Sequence, residues 1–160
     1  MNFYSVFQGK NIKNQRKQKI KLKIINLFRY YLKKNICIKN NCIKCCNQTS
    51  MILSNKDIEK IHKAGYKINF FVRENKGYLK LKNINGRCVF HNGQFCIIYK
   101  YRPEGCKIYP LIYDIGLNCA IVDNLCPYRY EFKFKNEDNM KLLDLISKIK
   151  SEISNNKKYR

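Results

Sequence analysis

Three sulfurs within five residues, in Cys42-Ile-Lys-Cys45-Cys46, constrain this chain more than any other stretch, and Cys37 stands just upstream. An ordinary hydrophobic core has no use for thiols crowded along one loop. Cys88, Cys96, Cys106, Cys119 and Cys126 follow, so the cysteines occupy the middle of the chain and leave a basic head and a helical tail without any. Thiolates are soft ligands that suit zinc, copper(I) and iron–sulfur clusters, and a tetrahedral shell takes four of them. A short pair such as Cys42 and Cys45 gathers two ligands before any long loop must close. Adjacent Cys45 and Cys46 are expected to point different ways, serving two neighbouring sites or dividing into one ligand and one packing residue.

A chain of 160 residues is one domain by size and buries a modest core without staples, so 9 Cys exceed structural need. The N-terminus has no apolar signal segment with a small-residue cleavage site, which leads us to expect a cytoplasmic, reducing location. Clustered cysteines there read as metal ligands or redox centres before disulfides, and the odd total agrees, because full pairing would strand one thiol. The net charge is +22, from 33 Lys+Arg against 11 Asp+Glu, a balance suited to phosphate backbones and anionic surfaces. The chain is also rich in Lys, Asn, Ile and Tyr, with Ala64 and Ala120 its only alanines, the mark of a coding sequence rich in A and T. That bias accounts for part of the charge by itself. No apolar run approaches the ~18 residues needed to cross a bilayer.

Read in order, residues 1–18 form a flexible basic head, and residues 1–36 carry ten basic and no acidic side chains. Ile20, Ile24, Leu27, Phe28, Tyr31 and Leu32 recur at helical spacing, with Lys21, Lys23, Arg29, Lys33 and Lys34 largely on the wet face. Such a helix either covers the domain or docks through residues 19–34 on RNA or an anionic membrane surface. A single domain is expected over 19–154, its core at 37–129 and a C-terminal helix at 137–154, before a frayed tail at 155–160. Ser54-Asn-Lys-Asp57 has the form of a capping box opening a short helix that stops at Gly65. Strands are expected over Ile68–Val72, Tyr78–Lys82 and Gly116–Val122, with a turn at Tyr101–Cys106. Arg87 to Ile98 reads as a hairpin turning at Asn92-Gly93, which would place Cys88 and Cys96 side by side. Leu142, Ile146, Ile149 and Ile153 carry the last helix, opened by Glu137 and Asp138.

The cysteine group ending in a Cys-Cys pair is joined by Leu53-Ser54-Asn55-Lys56-Asp57-Ile58, Cys88-Val-Phe and Cys96-Ile-Ile-Tyr99. Arg102-Pro103-Glu-Gly-Cys106-Lys-Ile-Tyr109-Pro110 and Cys126-Pro127 complete the set. On these residues the chain resembles the CxxCxxCC cysteine-cluster family from about Cys37 to Arg129. The resemblance implies a zinc- or iron-chelating domain with Cys37, Cys42, Cys45, Cys46, Cys88, Cys96, Cys106 and Cys126 as its metal ligands. Four residues separate Cys37 from Cys42 where the family usually has two. Cys119 falls outside the pattern and is expected as a buried bystander. The spacing of Cys37, Cys42 and Cys45 also matches plant-type ferredoxins. Their loop, however, has glycine where this one has none, and they leave the other cysteines unexplained.

Other polar residues offer less. His62 is expected at the surface or in packing, and His91, three residues past Cys88, in a turn before Asn92-Gly93. Glu104 and Asp123 are expected to bond local backbone, and Arg102 either to bind an anion beside the cluster or to brace loop carbonyls. Tyr99, Tyr101, Tyr109, Tyr113, Tyr128 and Tyr130, interleaved with Lys and Arg, read as cover for a small core rather than as base-stacking platforms. No histidine and serine arrangement fits a hydrolase. The expected architecture is α+β: a small metal-stapled domain with a small antiparallel sheet, cysteine-rich loops and flanking N- and C-terminal helices. Its expected function is to hold an iron–sulfur cluster, four-iron in preference to two-iron, or zinc, for electron transfer or within a protein-modifying assembly. The alternative is a zinc-stapled RNA-binding or protein-interaction module using the basic N-terminal helix.

Overall fold

The computed structural model of the chain describes residues 36–155. The basic head, the amphipathic helix expected over 20–32 with its RNA- or membrane-facing lysines, and the tail after Asn155 lie outside the described residues. The chain divides into two units at Cys42 and Ile43. In the first, Ile36–Lys39 form a short helix, α1. Its end is closed by the backbone and side-chain amides of Asn40, which both donate to the Ile36 carbonyl at 3.1 and 2.8 Å. Asn41 then takes a left-handed conformation (φ 49°), and the Cys42 N–H donates to the Cys37 carbonyl at 2.8 Å.

The second unit mixes helices and antiparallel strands, as expected of an α+β domain. Helix α2, Asn55–Lys63, starts at Ser54 with a complete capping box. The Asp57 N–H donates to Ser54 Oγ at 3.2 Å and the Ser54 N–H to Asp57 Oδ2 at 3.3 Å, so two orphan donors are satisfied reciprocally. Its inward face buries Ile58 and Ile61, and Gly65 (φ 100°) turns the chain away after its end. Ile68–Phe71 form a helical turn, α3, where a strand was expected. Coiling drops Phe71 fully into the core, and the extended chain begins only at Val72.

Strands β1, Val72–Asn75, and β2, Tyr78–Leu81, pair from Val72↔Leu81 to Asn75↔Tyr78. Lys76 and Gly77 both have positive φ (51° and 81°) and close the two-residue turn, whose twist suits a hairpin. A second hairpin joins β3, Asn83–Ile84, to β4, Arg87–Cys88, through Asn85 and Gly86 at φ 50° and 73°. The hairpin expected about Asn92-Gly93 is present only in part: the chain reverses through residues 92–95, with His91 bridging Cys96 and the Ile97 N–H donating to the Phe90 carbonyl at 2.9 Å, but no strand forms there. The strand partner of Cys88 is Asn83, while residues 89–99 curl and only His91 pairs with Cys96 as a lone bridge. Asn92 Oδ1 accepts the Gln94 and Phe95 N–H groups at 3.0 Å each, making an Asx-type turn rather than a ladder end.

Helix α4, Glu104–Ile108, leads through the cis Tyr109-Pro110 bond to β5, Leu111–Asp114, which pairs with β6, Cys119–Val122. The expected strand over Gly116–Val122 is shorter because Asp114 Oδ1 accepts the Leu117 N–H at 2.9 Å and holds a turn there. Helix α5, Asn136–Asn155, carries Glu137 and Asp138 in its positive first turn and buries Leu142 and Ile149. Antiparallel pairing is thus divided among three two-stranded sheets rather than gathered in one central sheet. What joins α2, α3 and the β1–β2 and β3–β4 hairpins is a core of Leu53, Ile58, Ile61, Phe71, Leu79, Leu81, Cys88, Phe90 and Ile98. Phe90 meets the Tyr66 ring edge-on at 5.0 Å. Cys46, Cys96 and Cys106 pack against the margin of that core. No helix among the described residues is long and apolar enough to cross a membrane.

Candidate metal centre

Five separate stretches carry the thiols of the second unit that the family pattern includes. The first is the 3-10 turn Lys44–Cys46, which carries Cys45 and Cys46. It is tied to the β3–β4 hairpin by the Gln48 N–H donating to the Gly86 carbonyl at 2.6 Å. Asn83 clamps the next residue from both sides: its Oδ1 accepts the Thr49 N–H at 3.1 Å and its Nδ2 donates to the Thr49 carbonyl at 2.8 Å. Docking this loop on that hairpin brings Cys46 to Cys88, which is 7 % exposed at the end of β4. The curl after β4 returns Cys96, held by the Ile97 N–H to the Phe90 carbonyl at 2.9 Å, and α4 supplies Cys106. Cys126, 3 % exposed, sits in a turn whose carbonyl accepts from the Arg129 guanidinium at 3.4 Å.

The electrostatics show that these thiols share one neighbourhood. The Cys46 thiol hydrogen-bonded to it draws Cys45 down to about 7 against the cost of burial, with the Arg102 charge assisting and that of Asp123 opposing. The same bond pushes Cys46 up, and burial and the charges of Cys45, Cys88 and Cys96 push the same way. Burial, reinforced by Cys45, raises Cys88. Cys96 is pushed up to about 11, first by burial and then by Cys88 and Cys45, with Arg102 pulling it back. Cys106 is raised by burial and by the charges of Cys45, Cys88 and Cys96. Burial, a hydrogen bond to Asp123 and the charges of Asp123, Cys126 and Cys45 raise Tyr109, which places Cys126 beside the same group. Among the described residues, no three Cys, His, Asp or Glu side chains are already drawn together tightly enough to hold an ion. The donors suit a thiophilic metal by their chemistry, and holding one would require them to rearrange.

A polar frame outside the thiols fixes the turn that leads to Cys106. Asp57, fully buried, accepts the Glu104 N–H at 3.0 Å through Oδ1 and the Lys60 ammonium at 3.3 Å. Lys60 Nζ in turn donates to the Arg102 carbonyl at 3.0 Å and pairs with Glu104 at 3.2 Å. Against the cost of burial, hydrogen bonds from Lys107 and Lys60 hold the Glu104 carboxyl below its ordinary range. Asp57 thus both caps α2 and pins α4. Replacing Asp57 with alanine removes the cap acceptor and orphans a buried N–H, an expected loss of about 2–4 kcal/mol. Urea unfolding of Asp57→Ala against the parent protein checks this, and a loss below about 0.5 kcal/mol would contradict it.

The implied ligands therefore fall into two sets. Cys45, Cys46, Cys88, Cys96 and Cys106 lie in one another's field, with Cys126 adjacent, whereas Cys37 and Cys42 belong to the first unit and are linked there by a backbone hydrogen bond. None of the nine cysteines is in a disulfide. Three expectations need correction. Cys45 and Cys46 do not act independently, since within the tight 3-10 turn each shifts the other's proton affinity. Cys119 is exposed on β6 rather than buried. Glu104 makes ion pairs with Lys60 and Lys107 where local backbone bonding was expected. His62 lies at the surface as expected, its Nδ1 3.0 Å from the Tyr66 carbonyl. His91 occupies its turn, with Nδ1 accepting the Gly93 N–H at 3.2 Å. The clamps through Asn83, Asp57 and Lys60 were not foreseen, because their partners lie 34 to 47 residues away.

Residues 36–141 match the CxxCxxCC family, described as "Putative zinc- or iron-chelating domain", and the chain belongs to that family. No curated protein and no solved structure matches it.

Proposed function

We propose that this CxxCxxCC-family chain is an iron–sulfur protein whose centre is held by thiolates drawn from Cys45, Cys46, Cys88, Cys96, Cys106 and Cys126, with Cys37 and Cys42 as candidate ligands of the first unit. A four-iron cluster is favoured over a two-iron one. The observation that carries the reading is the convergence of five thiols from four separate stretches, with the Arg102 charge reaching three of them. The all-sulfur donor set suits a cluster, which takes four thiolates as a zinc ion does, and the metal analysis below separates the two. When bound, such a cluster supplies one-electron chemistry, and electron transfer is the role that follows. The chain's own contribution is to gather the thiols, exclude water at the core margin and set the local charge. Purification without oxygen tests the proposal: the protein should be brown, with iron and acid-labile sulfide in equal amount. A colourless protein carrying stoichiometric zinc would overturn the iron–sulfur assignment and leave a zinc-chelating domain.

Loading also depends on pH in a stated direction. Burial and neighbouring thiols hold Cys46, Cys88, Cys96 and Cys106 above the ordinary thiol range, whereas Cys45 is drawn down to about 7. A metal must displace those protons, so its affinity falls as pH falls. A four-thiolate site releases about three to four protons per Zn²⁺, and the apparent affinity should drop about a thousandfold or more between about pH 7 and 6. Chelator competition at the two pH values measures this. A drop of tenfold or less would show that at most one thiol proton is displaced.

A further inference from the structure

Arg102 stands between the 3-10 turn Tyr99–Tyr101, which follows Cys96, and helix α4, which carries Cys106. Its guanidinium carbon lies 3.9 Å from the centroid of the Tyr99 ring, a cation–π contact that fixes the head group. Lys60 holds its carbonyl from one side, and Pro103 fixes the backbone that follows. Its Nε is buried and meets no hydrogen-bond acceptor among the described residues. Nor does any carboxylate form an ion pair with it there. A cationic donor kept in this way is costly unless an acceptor of opposite charge arrives. The groups its charge reaches are Cys45, Cys96 and Cys106.

We propose that Arg102 is the charge-balancing residue of the thiol centre, clamped on Tyr99 so that its unpaired Nε–H and its positive charge face the anionic sulfur shell of a bound metal or cluster. The inference rests on reading the cysteines as a chelating centre and assigns that centre a positioning residue outside the ligand set. Four thiolates around a divalent ion, or around a cluster core of the same charge, leave two negative charges in a poorly hydrated place. One fixed cation lowers the cost of assembling that shell. When a cluster takes up one electron the negative charge grows, so the cation favours the reduced form more than the oxidised one.

Two variants, Arg102→Gln and Arg102→Lys, separate charge from packing. Zn²⁺ affinity of the apoprotein is read by chelator competition, and the midpoint potential of the reconstituted cluster by titration with dithionite. Arg102→Gln should bind Zn²⁺ roughly ten- to a hundredfold more weakly and shift the potential to more negative values. Arg102→Lys, which keeps the charge, should restore most of the potential. A Gln variant with the parent's affinity and potential overturns the proposal, and so does a Lys variant that falls as far as Gln. If the Gln variant does not fold, the Lys variant decides by the same two readings. A parent protein that binds neither Zn²⁺ nor a cluster overturns the chelating reading as well, an outcome distinct from the first two.

Discussion

Stripping the metal from the folded protein with a chelator should abolish its cooperative thermal unfolding, or lower its midpoint by roughly 20 °C or more. The reason lies in how little else joins the pieces. Each of the three sheets has only two strands, and an isolated two-stranded hairpin is marginal in water at best. The buried cluster that unites the first two with α2 and α3 numbers nine residues, one of them Cys88. Metal binding by a structural thiolate site is worth on the order of 10 kcal/mol, comparable with the whole net stability of about 5–15 kcal/mol for a domain. With 12 Tyr and no Trp, near-ultraviolet circular dichroism reports tyrosine packing directly. That signal should vanish on metal removal and return on adding metal back. Identical melting with and without metal would show that the core stands alone.

Cys106→Ser and Cys119→Ser should behave as opposites. Cys106 lies in the field of Cys45, Cys88 and Cys96 at the margin of the core, whereas Cys119 is exposed on β6. Taking one thiolate of four from a site worth on the order of 10 kcal/mol removes at least about 2–3 kcal/mol, roughly a hundredfold in metal affinity. The same change at Cys119 should alter stability by no more than about 0.5 kcal/mol and leave metal content untouched. Metal analysis and chelator competition on the two variants give the comparison. Undiminished metal in Cys106→Ser would remove Cys106 from the ligand set, and equal loss in both would contradict the exclusion of Cys119.

Local chemistry was the legible part of this fold. The Ser54–Asp57 capping box reads from four consecutive residues because both of its hydrogen bonds close within them. The period of Leu142, Ile146 and Ile149 marks α5 because one helix face needs no distant partner to define it. Hairpins were harder where two turn signals competed. Asn85-Gly86 and Asn92-Gly93 are equally good as dipeptides, and the choice falls to the first because Asn83 pairs with Cys88 and also clamps Thr49. The apolar run at Ile68–Phe71 suits a strand by propensity, yet tertiary burial of Phe71 coils it. Burial of Cys119 failed as an expectation because a two-stranded ribbon leaves one face to solvent, and alternation alone does not say which.

The cysteine types and spacings pointed to chelation, but not to how the thiols assemble. Cys45 and Cys46 sit in a 3-10 turn, a local geometry that no spacing rule conveys. The Lys60 bridge to Arg102 and Glu104 crosses more than forty residues of chain. A buried aspartate at a helix start looks the same in sequence whether it caps alone or also pins a second helix, as Asp57 does.

X-ray absorption at the metal edge, on protein purified without oxygen, bears on the shared thiol centre itself. A first shell of sulfur alone, four per metal atom at about 2.3 Å and including bridging sulfide if a cluster is bound, is the predicted result. Nitrogen or oxygen as the main first-shell scatterers, or protein free of zinc and iron, would contradict the convergence of these cysteines on a metal.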